Sequence, residues 1–220
     1  MERALVVGHS GGIGAALASA LTAQGVAVTG LGRAEGLDVT DEASVAAALG
    51  GLEPGFDLVF VATGALVIGA RGPEKTLRAL DPAALAAQFA LNATGPLLVL
   101  KHALRLMPRD RACHFAALSA RVGSIGDNHL GGWYAYRAAK AALNQLIHTA
   151  AIEVARTHPG ACLLALHPGT VDTRLTAAHR GSHPAVPPAE AAANLLSVLS
   201  RCTASDSGRF VDAQGLTIPW

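Results

Sequence analysis

Five short apolar runs of strand length alternate along this chain with longer segments that are typical of helices. The runs occupy residues 4–7, 26–31, 58–62, 114–118 and 162–166. Each run is continuous rather than alternating in polarity, as expected for parallel strands covered by helices on both faces. This order predicts an α/β fold with an open, doubly wound parallel sheet of the Rossmann type. We expect a single domain over residues 1–220, because the sequence contains no internal repeat or linker.

Helices are predicted between these runs, at 12–24, 40–49, 82–106, 134–156 and 189–199. Asp81 stands directly before Pro82, which is a favoured arrangement for a helix start. Asp41 is a candidate cap for the second helix. Residues 174–188 contain Gly181 and three prolines, so we expect an irregular loop there, close to the substrate.

A glycine-rich loop joins the first apolar run to the first helix, with the sequence Gly8-His9-Ser10-Gly11-Gly12-Ile13-Gly14. Glycines let the backbone turn sharply and approach a pyrophosphate, and a helix N-terminus provides N–H donors to phosphate. The absence of a following Gly-Lys-Ser/Thr excludes a Walker A loop. These features predict a dinucleotide site, although a plain strand-to-helix connection has the same appearance. The residues predicted to contact the dinucleotide in this loop are Gly8, Ser10, Gly12, Ile13 and Gly14.

The second apolar run ends at Leu31-Gly32-Arg33, with no acidic residue at the strand end. An acidic residue there would bind the ribose hydroxyls of NAD, whereas an arginine can pair with the 2′-phosphate of NADP. Arg33 therefore favours NADP(H), unless it is a solvated surface residue. Asp38 and Val39 follow at the end of a very short predicted third strand. Asp38 is a candidate acceptor for the adenine amino group, or a turn residue.

Tyr136 and Lys140 are four residues apart in a predicted helix, so their side chains lie on the same face. An ammonium group beside a phenol lowers the phenol pKa from about 10, which suits general acid or base catalysis near neutral pH. In carbonyl reduction the tyrosine would protonate the oxygen while a hydride reaches carbon. The alternative is a surface pair in which the lysine stem packs against the ring.

These motifs, in this order, resemble the short-chain dehydrogenase/reductase family along essentially the whole chain. The glycine loop has the spacing of that family, and Tyr136 and Lys140 match its Y-x-x-x-K motif. The resemblance implies a nicotinamide cofactor and interconversion of a carbonyl and an alcohol on a small substrate. It also implies that Tyr136 is the acid or base, and that Lys140 anchors the ribose and lowers the tyrosine pKa.

Further elements extend the resemblance along the chain. Asn92 matches the helix asparagine of the catalytic tetrad, where it would position a water molecule. The sequence after the run 58–62, the fourth predicted strand, is similar to an N-N-A-G element without its asparagines. Residues 168–173 resemble the P-G-x-x-x-T element that contacts the nicotinamide carboxamide. The resemblance implies cofactor contacts at Ala62, Thr63, Gly64, Asn92, Pro168, Gly169, Val171 and Thr173.

The catalytic serine of the family is missing from its expected place. It stands three residues before a glycine, and here that position before Gly123 is Ala120. Ser119 is the nearest candidate to replace it and Ser124 the next, although neighbouring residues of a strand point to opposite faces. Loss of the serine hydrogen bond can cost about 2.7–4 kcal/mol of transition-state stabilisation. An enzyme without it would be slow.

Finer sequence features resemble one subgroup of the family, which contains sniffer-type carbonyl reductases and C-factor (C-signal) proteins. These features are the segments 122–127 and 131–137 and the C-terminal residues 208–220. A second hypothesis follows from this resemblance and from Ala120: a cofactor-binding regulatory or signalling protein with little turnover. Position alone suggests that His129, Trp133 and Tyr134 shape the pocket rim.

Composition bears on several other classes of function. A formal net charge of +1 gives no bulk attraction for nucleic acid. The three cysteines form no CxxC pair, and we expect no metal site. We recognise no signal peptide or membrane span and expect a cytoplasmic protein. A homodimer through the helices predicted at 82–106 and 134–156 is plausible.

Overall fold

Six parallel strands form one sheet in the computed structural model, which describes residues 1–69, 72–173 and 184–220. The strands are β1 (Arg3–Val7), β2 (Ala27–Leu31), β3 (Leu58–Val61), β4 (Cys113–Leu118), β5 (Ala161–His167) and β6 (Arg209–Asp212). Their spatial order is β2-β1-β3-β4-β5-β6. The predicted Rossmann-type sheet is confirmed. β6 was not predicted, because its four residues begin and end with a charged side chain.

In the described part of the chain, six α-helices cover the two faces of the sheet: α1 (Gly12–Ala23), α2 (Glu42–Gly50), α3 (Pro82–Phe89), α4 (Gly95–Ala103), α5 (Tyr134–Val154) and α6 (Pro188–Arg201). In β1, Leu5 and Val7 belong to the core beneath α2, α4 and α5, whereas Ala4 and Val6 belong to the core beneath α1 and α6. Both side-chain faces of the central strands are therefore buried, which explains their continuous apolar sequences.

Two local predictions differ from the structure. The predicted helix 82–106 is divided by a π turn, Ala90–Thr94, between α3 and α4. Residues 37–39 form no strand, because Asp38 accepts hydrogen bonds from the Thr40 main-chain N (2.9 Å) and Oγ1 (2.7 Å) and makes a turn. Of the predicted loop 174–188, residues 174–183 lie outside the described residues. The predicted cap of α2 is confirmed, since Asp41 Oδ1 accepts from Ala43 N at 3.0 Å.

Strand order places a crevice at the carboxyl end of β1. The chain leaves β1 for β2 on one side and later enters β3 on the other side. Ligands of open α/β sheets bind at such a switch point. The glycine loop follows β1 directly, so it lies at this crevice.

The helical stretch Pro82–Leu106 is long and apolar enough, by length and composition, to cross a membrane. In this fold its helices α3 and α4 instead contact α2, α5 and β3. A buried helix of an α/β core satisfies the same length and composition test.

Candidate active site

The glycine loop forms a tight turn that has no room for side chains at Gly8, Gly12 and Gly14. Gly8 has a φ of +85°, in the left-handed region. A Cβ atom at Gly14 would lie 2.2 Å from the carbonyl oxygen of Gly8, and one at Gly12 would lie 2.7 Å from Thr173 Cγ2. The helix α1 begins at Gly12 without a side-chain cap from the described residues. Its first N–H groups and the bare backbone form a cradle suited to phosphate.

A cleft of about 590 Å³ runs from this loop across the carboxyl ends of the strands. It brings together residues that are far apart in the sequence and that the motifs had predicted as site residues. They are Gly12, Ile13, Ala62, Thr63, Gly64, Ser119, Tyr136, Lys140, Pro168, Gly169, Val171 and Thr173. Other predicted residues, namely Gly8, Ser10, Gly14, Arg33, Asp38, Val39 and Asn92, do not line this cleft.

Two buried polar atoms in the cleft wall have no protein partner among the described residues: Thr63 Oγ1 and His167 Nδ1. Burial lowers the pKa of His167 to about 4, so its imidazole is neutral at neutral pH. A buried polar atom without a partner is costly. These atoms are therefore suited to hydrogen bonds with a bound molecule that has hydroxyl or amide groups.

Tyr136 and Lys140 are both buried on the first two turns of α5, with exposed fractions of 7% and 2%. Lys140 Nζ donates to the carbonyl oxygen of Leu118 at 2.8 Å and lies 5.8 Å from the centroid of the Tyr136 ring. A Cβ at Gly123 would come within 2.8 Å of the Lys140 main-chain carbon, so only glycine fits beside this turn. The two side chains share the cleft, and the surface-pair alternative is wrong.

The expected lowering of the tyrosine pKa does not occur in this structure. Burial raises the pKa of Tyr136 to about 12 and lowers the pKa of Lys140 to about 7. Desolvation disfavours the charged form of each group, and the ammonium is directed at the Leu118 carbonyl rather than at the phenol oxygen. Tyr136 therefore holds its proton at neutral pH.

Asn92 lies beneath the cleft rather than in its wall. In the π turn, its Nδ2 atom donates to the Ala65 carbonyl oxygen at 2.9 Å and to Gln88 Oε1 at 2.6 Å. Its Oδ1 atom accepts from Ala65 N at 3.2 Å. Both amide protons are used within the protein, so the side chain holds the loop that follows β3. The predicted water-positioning role does not fit these contacts of the side chain.

Neither candidate serine offers a free hydroxyl proton to the cleft. Ser119 lines the cleft, but its Oγ donates to Asn144 Oδ1 at 2.6 Å. Ser124 Oγ donates to the Pro219 carbonyl oxygen at 2.6 Å and accepts from Asp127 N. The methyl group of Ala120 occupies the position of the missing serine in the cleft wall. The prediction of Ser119 as a hydrogen-bond donor to substrate conflicts with its bond to Asn144.

The adenosine end of the predicted site lies on the surface next to β2. Arg33 is exposed, and its side chain makes no hydrogen bond or ion pair with the residues that the structure describes. The hydrogen bonds from Thr40 lower the pKa of Asp38. Sequence reasoning overlooked one acidic residue, because the 3₁₀ turn Arg33–Glu35 places Glu35 beside the glycine loop. Glu35 Oε2 lies 3.0 Å from His9 Nε2.

The far end of the cleft is mainly apolar, and sequence reasoning missed most of its residues. Its wall contains Leu66, Leu118, Val122, Leu130 and Trp133, with the cations Arg121 and Arg137. Trp133 has a φ of +51°, rare for a residue with a side chain, and its ring meets that of Tyr136 edge to face. Of the predicted rim residues, Trp133 lines the cleft, whereas His129 and Tyr134 do not.

Comparison with known proteins gives consistent results. Residues 32–206 match the protein-family profile described as Enoyl-(Acyl carrier protein) reductase. The chain is 31% identical, over the full length of both proteins, to 1-hydroxy-2-glutathionyl-2-methyl-3-butene dehydrogenase of Rhodococcus sp. (strain AD45). It is 33% identical to C-signal of Myxococcus xanthus, over 64% of this chain and 81% of that one.

A solved structure of NADPH-bound carbonyl reductase from chicken fatty liver has the same fold. It superposes with a TM-score of 0.83 at 23% identity, covering 100% of this chain and 99% of the other. Among the described residues, no three His, Cys, Asp or Glu side chains are grouped so that they could hold a metal ion. From the profile match and the full-length relative, the chain belongs to the short-chain dehydrogenase/reductase family of oxidoreductases.

Proposed function

We propose that this protein is an NADP(H)-preferring reductase of a carbonyl group on a small molecule, working through Tyr136. The observation that carries the proposal is the burial of Tyr136 and Lys140 in one wall of the cleft that begins at the glycine loop. When bound, the nicotinamide cofactor would supply or accept a hydride. The cradle and the unpartnered Thr63 and His167 atoms fit such a ligand.

The cofactor-holding residues in this proposal fall into three groups. Gly8, Ser10, Gly12, Ile13 and Gly14 would bind the phosphates, and Arg33, Asp38 and Val39 would bind the adenosine. Ala62, Thr63, Gly64, Lys140 and residues 168–173 would hold the nicotinamide half, with Asn92 fixing the loop at Ala65 from below.

Tyr136 is in the protonation state that a reductase needs. With a pKa raised to about 12, the phenol retains its proton at neutral pH. It can donate that proton to a carbonyl oxygen bound in the cleft. The buried Lys140, which lines the same cleft, would bind the ribose and stabilise the phenolate that remains.

This protonation state predicts different pH profiles for the two directions. Alcohol oxidation needs the phenolate, so its kcat is expected to rise with pH, by about tenfold per unit at most while the phenol remains largely protonated. Carbonyl reduction uses the phenol and should stay nearly constant over the same range. Initial rates in both directions between pH 6 and 10 provide the measurement. An oxidation rate independent of pH would contradict the role of Tyr136.

The proposed activity is tested by NADPH oxidation against a panel of aldehydes, ketones and quinones. A similar protein of Rhodococcus is named as a dehydrogenase of a glutathionyl alcohol, so the panel should include a glutathione conjugate with an alcohol or carbonyl group. We expect turnover of apolar carbonyl compounds, which match the far wall of the cleft.

The predicted homodimer, paired through α3, α4 and α5, is tested separately by light scattering.

A charge reversal at Arg33 tests the cofactor preference. Arg33→Asp is expected to raise the KM for NADPH by about tenfold or more while changing that for NADH little, because a carboxylate repels the 2′-phosphate. Arg109→Asp is the matched control, since Arg109 is exposed in the connection that leads to the amino end of β4, whereas the cleft lies at the carboxyl ends of the strands. If the KM ratio is the same in both variants, Arg33 has no part in cofactor choice.

A second candidate function is supported by the serine contacts. Ala120 and the bond from Ser119 to Asn144 leave the cleft without the family's serine donor, and C-signal is among the similar proteins. The chain would then bind the cofactor as a regulatory protein with little turnover. Tight NADPH binding without turnover of any compound in the panel would favour this function.

A further inference from the structure

The end of β2 presents two opposite charges to the adenosine end of the site. Arg33 is the first and Glu35 the last residue of one 3₁₀ turn, so both lie directly after β2. A Cβ atom built on Gly32 would lie 3.4 Å from Glu35 Oε2, 3.8 Å from Ser10 Oγ and 3.8 Å from the His9 ring. The position beside Gly32 is therefore surrounded by a carboxylate, a hydroxyl and an imidazole.

The carboxylate of Glu35 is held in this position by His9. The two side chains are joined at 3.0 Å, and the His9 ring lies over Gly30, where a Cβ atom would come within 2.6 Å of the ring. Glycine at position 30 thus leaves room for the ring between β2 and the glycine loop. The hydrogen bond from His9 lowers the pKa of Glu35, which is ionised at neutral pH.

The other charged groups at this strand end are Arg33 and Asp38. The Asp38 carboxylate accepts two hydrogen bonds from Thr40, which hold it in its own turn. Arg33 is the one full positive charge among the described groups at this strand end, and Glu35 opposes it. In sheets of this kind, the group after the second strand binds either the ribose hydroxyls or the 2′-phosphate of the adenosine.

We propose that Glu35, anchored by His9, is a specificity-determining residue that weakens binding of 2′-phosphorylated adenosine. Its carboxylate would repel a phosphate dianion bound at this strand end and can accept a hydrogen bond from an unphosphorylated ribose. The choice between NADP(H) and NAD(H) is then a balance between Arg33 and Glu35. This inference rests on the proposed use of a nicotinamide cofactor.

Two nucleotide fragments test this inference without any catalytic step. Adenosine 2′,5′-bisphosphate and 5′-AMP differ only in the 2′-phosphate, and calorimetry gives the Kd of each for the full chain. In Glu35→Gln, we expect the ratio of the two Kd values to shift about three- to tenfold toward the bisphosphate at low salt, and less at high salt, where charges are screened. His9→Gln removes the ring that positions Glu35, so its ratio should shift in the same direction by a smaller factor.

Glu42→Gln is the matched control, because Glu42 is also an exposed glutamate paired with a histidine, His102, but on the surface between α2 and α4. Its Kd ratio should equal that of the parent protein. A ratio in Glu35→Gln within twofold of the parent value would overturn this inference while leaving the cofactor site intact. Failure of the parent protein to bind either fragment would overturn the inference together with the proposed cofactor site.

Discussion

Replacement of Tyr136 by phenylalanine is expected to lower kcat for carbonyl reduction by about 10²- to 10⁴-fold, the usual contribution of a general acid. The variant loses one buried hydroxyl and keeps the ring, which packs edge to face against Trp133. Cofactor binding should therefore change little, while proton donation to the substrate oxygen is lost. The measurement is steady-state NADPH oxidation, with the Kd for NADPH determined by fluorescence titration.

Tyr134→Phe is the matched control, because the sequence contains only two tyrosines and they stand two residues apart. Tyr134 is 36% exposed and does not line the cleft, so its variant should retain parent activity. Equal activity of Tyr136→Phe and the parent protein on every substrate would show that Tyr136 is not the proton donor. A loss of NADPH binding in the same variant would instead assign the hydroxyl to cofactor binding.

Much of the fold could be predicted because strands buried on both faces of the sheet have continuous apolar sequences. The run at 58–61 is apolar throughout, and β3 lies between β1 and β4 with all four residues buried. The π turn at Ala90–Thr94 could not be predicted, since its residues continue the apolar character of α3 and α4. β6 is short, and its pairing with β5 depends on contacts between distant segments.

The site was predictable where chemistry requires a fixed local spacing. Gly8 and Gly14 must both be glycine because the loop closes on itself, and that requirement lies within seven residues. The partner of Ser119 is Asn144, which lies 25 residues away on α5. No local sequence pattern predicts this hydrogen bond. Glu35 was overlooked for a similar reason: only the 3₁₀ turn and the His9 contact bring it to the glycine loop. The protonation of Tyr136 depends on burial, which spacing alone does not reveal.

The substitution Ala120→Ser, which introduces the family's serine, is expected to raise kcat for carbonyl reduction by about tenfold or more. A donor aimed at the developing oxyanion contributes about 10²–10³ in rate where it is well placed. Ala120 lines the cleft at the end of β4, and its main chain is extended, with φ of −149°. A serine hydroxyl there would face the same cavity as Tyr136, without the partner that binds Ser119. The measurement compares kcat for Ala120→Ser and the parent on one substrate.

Two further variants decide which serine position matters. Ser119→Ala should keep most of the parent activity while losing about 1 kcal/mol of folding stability, because its hydroxyl donates to Asn144 inside the protein. Ala141→Ser, on α5 outside the cleft lining, controls for the added hydroxyl. Abolished activity in Ser119→Ala, with no gain in Ala120→Ser, would make Ser119 the donor after all. A large gain in Ala120→Ser alone would show that the cleft retains the geometry for reduction, and that the parent chain turns over slowly because one donor is missing.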